Sequence, residues 1–200
     1  MSELEVLAAE VVRCTRCLLH QGRTKAVPGE GPENADIMFI GEAPGFHEDQ
    51  QGRPFVGAAG KFLDELLGSI NLKRKDVFIA NVIKCRPPGN RDPLPEEMEG
   101  CKPFLDRQIE LIQPKLVVTL GRFSMARAFP KARISRIHGQ PRKIDGVVYY
   151  PMYHPAAALH QPSLRRTIEE DMFRIPELIA RAEQMAETAP PQEAQQLSLF

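Results

Sequence analysis

Four cysteines are the residues of this sequence with the clearest chemical potential. Cys14 and Cys17 form a C-x2-C pair at the end of a predicted helix, and Cys85 and Cys101 follow a predicted strand. The N-terminus has no apolar leader segment, so we expect a cytoplasmic location, where two structural disulfides would not persist. The thiols are then buried apolar residues, a catalytic thiol or metal ligands. As ligands, four thiolates suit tetrahedral zinc and a [4Fe-4S] cluster, and their spacing does not separate the two.

Polar and glycine-rich segments follow three predicted strands. The first strand ends in the sequence GEAPG at 41–45, with Glu48 and Phe55 close behind; the second ends in Asn81, and the fourth ends in His154. Taken separately, these segments are also explained as a Gly-Pro turn, a strand-capping Asn and a Pro-bounded loop. In open α/β sheets, however, ligands bind at the carboxyl ends of the strands. The sequence therefore predicts a site where these segments meet.

A buried sheet is needed to position these segments. The candidate strands are short and apolar: Ile37 to Ile40, Val77 to Ala80, Leu116 to Leu120 and Val147 to Met152. Amphipathic stretches lie between and after them, at 58–69, 95–112, 122–129 and about 163–185. Apolar strands that alternate with helices form sheets covered on both faces. We predict an α/β fold, a three-layer α/β/α sandwich with a central, mostly parallel four-stranded sheet.

Composition and charge set further bounds on the chain. Its 200 residues, 42% of them hydrophobic, are enough for one substantial core and one domain. The net charge is zero, yet Leu111 to Ile144 contains eight Lys or Arg and no Asp or Glu. This asymmetry fits either a local basic face for phosphate contacts or an ordinary solvated surface. No apolar run is long enough to span a membrane.

Taken together, the three pocket segments and the cysteines resemble the family 4 uracil-DNA glycosylases, from Cys14 to about Asp171. The resemblance implies a DNA repair enzyme that flips uracil out of DNA and hydrolyses its bond to deoxyribose, leaving an abasic site. It also implies that Cys14, Cys17, Cys85 and Cys101 hold a structural [4Fe-4S] cluster, and so favours iron-sulfur over zinc. We expect a monofunctional glycosylase without lyase activity.

The resemblance implies roles for individual pocket residues. Phe55 matches the aromatic that stacks on uracil, and Asn81 matches the amide that donates to uracil O4 and accepts from N3–H. His154 matches the donor to uracil O2, where negative charge develops as the glycosidic bond breaks. Gly41 and Ala43 belong to the same substrate-binding segment.

The residue that orients the attacking water is not decided by this resemblance. The best-known branch of the superfamily has Asp where this chain has Ala43. The acidic candidates are Glu42 and Glu48, with Asn90 as a possible partner. Glu48 has an alternative role, which is to exclude the thymine methyl beside uracil C5, because Gly45 stands where other branches have a bulky aromatic.

Contacts with DNA are expected around the loop after the fourth strand. Leu159 is a candidate wedge for the gap left by the flipped base. Ser163 and Arg165 are DNA-binding candidates, and Arg166, Arg53 and residues 135–139 are further possible phosphate or sugar contacts. We expect His138, within that last segment, to be a surface histidine.

The end of the chain differs in composition from the predicted glycosylase domain at 1–185. Residues 186–195 are rich in Pro, Glu, Gln and Ala, which predicts a disordered linker. The final five residues resemble the peptide by which bacterial replication and repair proteins bind the sliding clamp: Gln196, Leu197, Ser198, Leu199 and Phe200. This resemblance implies a bacterial source, association with the nucleoid and a clamp partner. The alternative is a tail that packs on its own domain. We expect a monomer.

Two other classes of function compete with the glycosylase. One is a non-hydrolytic DNA-binding module that uses the cluster for redox sensing or an altered pocket to trap DNA. The presence of all three pocket segments speaks against it. The other is a zinc-stabilised enzyme acting on free nucleotides, but the sequence has no Walker-type loop for a triphosphate.

Overall fold

The computed structural model of the chain describes residues 1–187, and its centre is a five-stranded sheet. The strands are β1 (Ile37–Gly41), β2 (Phe78–Asn81), β3 (Leu116–Leu120), β4 (Arg142–Ile144) and β5 (Val147–Met152). The α-helices of this part of the chain are α1 (Glu3–Arg13), α2 (Leu19–Gly22), α3 (Phe46–Gln51), α4 (Ala58–Ser69), α5 (Pro95–Ile112), α6 (Arg122–Ala126), α7 (Ile134–Ile137), α8 (Pro155–His160), α9 (Leu164–Phe173) and α10 (Ile175–Arg181). Short 3-10 helices lie at Arg74–Asp76, Pro88–Asn90 and Ala182–Gln184.

The strand order in the sheet is β2-β1-β3-β5-β4. The first four of these strands are parallel, and β4 runs antiparallel to β5 at one edge. The fold class predicted from the sequence is confirmed, but the sheet has five strands rather than four. The missed strand, β4, has three residues of which two are basic, so it carries no apolar run. Asp145 and Gly146 both have positive φ and turn β4 into β5, and this Asp-Gly pair is the hairpin signal that marks it.

Both faces of the sheet are covered by helices. Phe39 of β1 packs in an apolar cluster with Leu63 of α4 and Met172 of α9, whereas its neighbour Met38 packs with Leu105 of α5 on the other face. All residues of β1 and β3 are buried. Successive residues of a strand point to opposite faces, so this division confirms the three-layer arrangement.

Two predicted helices differ from the observed ones. The predicted helix at 122–129 ends at Ala126, and the long one predicted at 163–185 is divided at Arg174 into α9, α10 and a 3-10 turn. Pro176 explains the division, because proline lacks the N–H that a continuous helix would need and fits the first turn of a new one. Of the helices at residues 1–187, none is both long and apolar enough to cross a membrane.

The end of the described chain lies against the edge of the sheet. Glu187 forms a β-bridge with Lys143 of β4, and its carboxylate accepts a hydrogen bond from the N–H of Gly146 at 3.1 Å. The predicted linker thus begins with two described residues, while the rest of it and the predicted clamp-binding peptide at 196–200 lie outside the described residues.

Candidate active site and cysteine-lined cavity

The ends of β1 and β2 bring three predicted pocket residues together. Gly41 and Asn81 are partners in the parallel register, and Asn81 is only 2% exposed. A Cβ atom on Gly41 would lie 2.4 Å from Asn81 Oδ1 and 2.6 Å from the ring of Phe55, so only glycine fits here. Asn81 Oδ1 is buried and has no hydrogen-bond partner within the described chain. The structure therefore holds an unsatisfied acceptor beside an aromatic ring, which is the arrangement expected of a base-reading site.

The aromatic wall of this pocket is held in an unusual backbone conformation. Phe55 has a φ of 52°, in the left-handed region, and its carbonyl accepts from Arg74 Nη1 at 3.1 Å. Gly60 packs directly under it, since a Cβ there would lie 1.8 Å from the Phe55 oxygen. The Phe55 ring stacks on His154, with centroids 5.4 Å apart and planes 23° apart. The residue that carries the stacking surface is therefore held in a strained backbone conformation by its surroundings.

His154 is fixed as a neutral side chain with a defined tautomer. It is the N-cap of α8, and its Nδ1 accepts a hydrogen bond from the N–H of Ala156 at 3.1 Å. Burial lowers the pKa of His154 to about 4, against a smaller opposing effect of the Glu48 charge. The imidazole is therefore neutral near pH 7. Because Nδ1 is an acceptor, the proton is on Nε2, and that nitrogen is a hydrogen-bond donor.

The two acidic candidates have very different surroundings. The Glu48 carboxylate accepts three backbone hydrogen bonds, from Gly45 at 3.1 Å, Val56 at 2.8 Å and Gly57 at 2.9 Å. The carboxylate of Glu42 makes no hydrogen bond or ion pair with any described residue. Burial, followed by the nearby Asp92 charge, raises the pKa of Glu42 above its usual value. Glu48 ties together the two loops that form the pocket, whereas Glu42 keeps a free carboxylate.

The side chains of two further predicted residues, Asn90 and Ala43, do not line the pocket. Asn90 is exposed, and its Oδ1 accepts from Arg86 Nε at 2.7 Å, with no hydrogen bond to either acidic candidate inside the described range. The side chain of Ala43 packs against the apolar cluster that contains Cys85 and Phe104. Ala43 can therefore take part in substrate binding only through its backbone.

Some of the residues predicted to contact DNA have exposed side chains, and others already form ion pairs within the protein. Leu159 is 49% exposed on α8, and Ser163 is exposed just before α9. Arg165 forms ion pairs with Glu65 at 2.8 Å and Glu169 at 2.9 Å. A phosphate contact by Arg165 would have to compete with these pairs. Two other basic candidates are also paired, Arg53 with Glu30 and Arg166 with Glu170.

His138 is not the simple surface histidine that the sequence predicts. Its Nδ1 lies 2.7 Å from Oδ2 of the buried Asp171, and its ring lies 4.9 Å from that of Tyr153, next to His154. A Cβ at Gly139 would lie 2.5 Å from Asp171 Oδ1, so a glycine after His138 is required for this approach. Asp171 is distant in sequence, and only the folded chain reveals the pair.

Lys84 is a second residue whose role the sequence does not reveal. It is 1% exposed, and its Nζ donates to the carbonyl oxygen of Asn81 at 2.9 Å and to Oε1 of Gln108 at 2.7 Å. Burial lowers its pKa to about 7. Although Lys84 belongs to the second pocket segment, its amine is enclosed beneath the pocket rather than exposed in it.

All four cysteines line one small cavity between α1, α5 and the segment after β2. Burial raises the pKa of Cys85, and it raises that of Cys101 to about 11. Arg23 Nη1 donates to the sulfur of Cys85 at 3.2 Å, and the N–H of Arg16 donates to that of Cys14 at 3.5 Å.

The chemistry of this cavity fits an anionic sulfur-ligated group. Arg16, Arg23 and Lys84 line it together with the thiols, and no acidic residue among 1–187 does. Hydrogen bonds to cysteine sulfurs are typical of iron-sulfur sites. Within residues 1–187, no group of three or more His, Cys, Asp or Glu side chains forms a ready-made metal site. The cavity therefore supplies four thiols and a basic lining, which fit such a group.

Comparison with known proteins identifies the class that this fold and site define. The profile of the Uracil DNA glycosylase superfamily matches residues 28–174, so the chain belongs to that superfamily. A Type-4 uracil-DNA glycosylase of Sulfurisphaera tokodaii is 50% identical over 188 residues, covering 89% of this chain and 86% of the relative. Those of Archaeoglobus fulgidus and Thermotoga maritima are 47% and 42% identical, over 90% and 89% of this chain and 96% and 95% of their own lengths.

These identities and coverages place the chain in the type-4 branch of the superfamily. The resemblance inferred from the motifs is confirmed. The protein is a uracil-DNA glycosylase, a hydrolase of N-glycosyl bonds that acts in base excision repair. The competing classes, a non-hydrolytic DNA-binding module and an enzyme of free nucleotides, are thereby set aside.

Proposed function

We propose that uracil flips into the pocket of Gly41, Phe55, Asn81 and His154 and is read there by Asn81. The observation that carries the proposal is the buried, unpartnered Oδ1 of Asn81. A buried acceptor without a partner is unfavourable, and uracil N3–H is a donor that satisfies it. Cytosine has no hydrogen at N3, so it leaves the acceptor unpaired. The stacking surface of Phe55 and this hydrogen bond offset the few kcal/mol that base extrusion costs.

His154 is proposed to stabilise the leaving base. As the N-glycosyl bond breaks, its electron pair moves to uracil and negative charge develops on O2. The Nε2–H of a neutral imidazole donates to that oxygen, and the hydrogen bond strengthens as the charge grows. The hydrogen bond from Ala156 holds the ring in the required tautomer before the substrate binds.

Glu42 is proposed to position the attacking water and accept its proton. Its free carboxylate and raised pKa suit a general base, while three backbone donors already occupy the oxygens of Glu48. In the step, the water oxygen bonds to C1′ of the sugar, its proton passes to Glu42, and uracil departs with the electron pair. Asn90 then acts indirectly, by holding Arg86 in the loop after β2.

The reaction is proposed to stop at the abasic site. A lyase step needs an amine that reaches C1′ of the sugar, and the enclosed Nζ of Lys84 is hydrogen-bonded to Asn81 and Gln108. This geometry supports a monofunctional enzyme.

Cys14, Cys17, Cys85 and Cys101 are proposed to hold a [4Fe-4S] cluster. The support is the shared cavity, its basic lining and its N–H donors to sulfur. When bound, the cluster supplies a covalent cross-link between the end of α1, the segment after β2 and α5, and so couples metal binding to folding.

The DNA face is proposed to lie around α8. Leu159 is an exposed apolar side chain on the helix that His154 caps, and this placement supports a wedge that fills the space of the extruded base. Ser163 and Arg165 extend the same face, and Arg165 would exchange a carboxylate partner for a phosphate.

The C-terminal peptide Gln196, Leu197, Ser198, Leu199 and Phe200 is proposed to bind a bacterial sliding clamp. The support is the match of all five residues to the clamp-binding pattern. Replacing Leu199 and Phe200 together by Ala should abolish capture by an immobilised bacterial clamp and leave excision from short oligonucleotides intact. Ser198→Ala is the matched control and should bind normally. Clamp capture by the double variant at the wild-type level would contradict the proposal.

The central activity is tested on a single-stranded oligonucleotide with one uracil, incubated with the protein and then with alkali. Scission at uracil, and none at cytosine or thymine in the same position, is the expected result. Asn81→Ala should show little scission while its melting temperature stays near that of the wild type. Equal excision by Asn81→Ala would show that uracil is read elsewhere.

A further inference from the structure

Lys84 joins the end of β2 to helix α5 through buried hydrogen bonds. Its Nζ donates to the main-chain carbonyl of Asn81 at 2.9 Å and to Gln108 Oε1 at 2.7 Å. The Gln108 Nε2 in turn donates to the carbonyl of Pro28 at 2.7 Å, and the N–H of Val27 donates to the carbonyl of Lys84 at 2.8 Å. Both the main chain and the side chain of Lys84 are therefore anchored.

The burial of this amine calls for an explanation. Lys84 is among the largest fully buried side chains of the described protein. Taking an amine out of water is unfavourable unless its hydrogen bonds are replaced, and an apolar side chain of similar size would avoid that cost. The amine instead gives the Asn81 carbonyl a hydrogen-bond partner, Lys84 Nζ, that lies beyond the end of β2.

The same helix connects Lys84 to the cysteine-lined cavity. Gln108 and Cys101 are both buried residues of α5, two turns apart on one face, and Lys84 itself lines the cavity beside Cys85. The base-reading strand end, the lysine and the cysteine helix thus form one continuous set of buried contacts.

We propose that Lys84 is a positioning residue that orients Asn81 by anchoring its main chain to α5, the helix that carries Cys101. The inference rests on the proposed role of Asn81 as the uracil reader. A hydrogen bond between Asn81 Oδ1 and uracil N3–H needs a particular direction of the side chain, and that direction depends in part on how the main chain at Asn81 is oriented. The N–H groups of Val82 and Ile83 keep the end of β2 paired with β1, so loss of the Lys84 anchor should shift the Asn81 peptide within that register and misalign the amide with the base.

The test compares inhibition of excision by free uracil and by 3-methyluracil, which lacks the N3–H donor. In the wild type, uracil should inhibit much more strongly, because only uracil satisfies Asn81 Oδ1. Lys84→Met removes the amine and both of its hydrogen bonds, and it leaves an unbranched side chain one atom shorter. We expect the ratio of the two inhibition constants to fall about tenfold, the effect of one misaligned hydrogen bond. General destabilisation would not change this ratio.

Gln108→Met is the second variant, since it leaves the contact between Lys84 and Asn81 but removes the anchor on α5. It should lower the ratio in the same direction by about threefold, with iron content per chain at the wild-type level. Thr119→Val is the matched control: it removes another buried polar group, on β3, and should leave the ratio unchanged. If Lys84→Met does not fold, Gln108→Met decides the question.

A ratio within about 1.5-fold of wild type in folded Gln108→Met would overturn the inference, as would the same result in folded Lys84→Met. Asn81→Ala is measured in parallel to separate this failure from that of the proposed function. If the ratio is unchanged in Asn81→Ala, Asn81 is not the reader and both proposals fall. If the ratio of inhibition constants falls in Asn81→Ala but stays at the wild-type value in Lys84→Met and Gln108→Met, only the proposed role of Lys84 is wrong.

Discussion

The uracil pocket and the cysteine-lined cavity satisfy their polar groups in opposite ways. In the pocket, protein atoms already hold the functional side chains: three N–H groups bind Glu48, and Ala156 orients His154. In the cavity, burial raises the pKa of Cys85 and Cys101, and few protein donors reach the sulfurs. The Glu48 and His154 side chains of the pocket are thus positioned before any substrate arrives, and Asn81 Oδ1 is left for the base, whereas the cavity leaves its sulfurs with few partners. Substitutions of the pocket residues that face the substrate, Asn81 and His154, should therefore separate activity from stability, and cavity substitutions should not.

The largest effect is expected from Cys85→Ala, which should remove most of the soluble yield and the iron. Losing a buried sulfur alone would cost about 1 kcal/mol, so a much larger loss reports a lost ligand. Val11→Ala is the matched control, because Val11 lines the same cavity and is fully buried. It should cost about 2 kcal/mol in urea unfolding and keep normal iron. Normal iron in Cys85→Ala would remove this residue from the ligand set.

His154→Ala should lower the single-turnover excision rate by about 10^2-fold or more, because a donor aimed at developing charge is lost. Its melting temperature should change by only a few degrees, since the structural losses are one backbone hydrogen bond at the start of α8 and the stacking contact with Phe55. Excision within about threefold of wild type by the folded variant would refute the role of the imidazole. If His154→Ala lost its stability together with its activity, the proposed difference between the pocket and the cavity would be wrong.

The acid side of the pH–rate profile should report Glu42. Its raised pKa means that the base form is lost as pH falls through a value above 4.5, whereas His154, with a pKa of about 4, stays neutral over most of that range. The value of kcat/KM should therefore fall on acidification, and the acid side of its pH profile should show a single titration.

Paired variants sharpen this assignment within the pocket. Glu42→Gln should be about 10^2-fold slower, keep its stability and lose the acid limb. Glu48→Gln should instead lower stability by about 1–3 kcal/mol in urea unfolding, because an amide accepts the three backbone donors less well. If the acid limb persists in Glu42→Gln, or disappears only in Glu48→Gln, then Glu48 rather than Glu42 is the general base. Excision of thymine from T·G mismatches by Glu48→Ala would show that Glu48 guards the C5 side.

The smallest effect is expected from Leu159→Ala, which removes an exposed side chain outside both regions. Excision from duplex DNA should fall about tenfold, because the wedge offsets part of the extrusion cost, while excision from single strands should barely change. His160→Ala, at the neighbouring exposed position, is the control. Equal losses on both substrates would show that Leu159 does not act as a wedge.

Much of the site could be predicted because its residues stand at strand ends. Short apolar strands are easily located. Asn81 is the last residue of β2 and His154 comes two residues after β5, so the edge where they meet was predictable before any contact was known. The three-residue strand β4 could not be found in this way, because its side chains are mostly basic and only its turn carries a signal. His138 also escaped, since its partner Asp171 lies on another helix.

The sequence by itself determined the fold class, the family and the residue types of both regions, because these depend on local periodicity and on motifs contained in short segments. Only the tertiary structure decided which carboxylate is free, which nitrogen of His154 carries the proton, and where the amine of Lys84 points. Those properties depend on burial and on hydrogen-bond partners from distant segments. Long-range packing creates these environments, and no short stretch of sequence contains them.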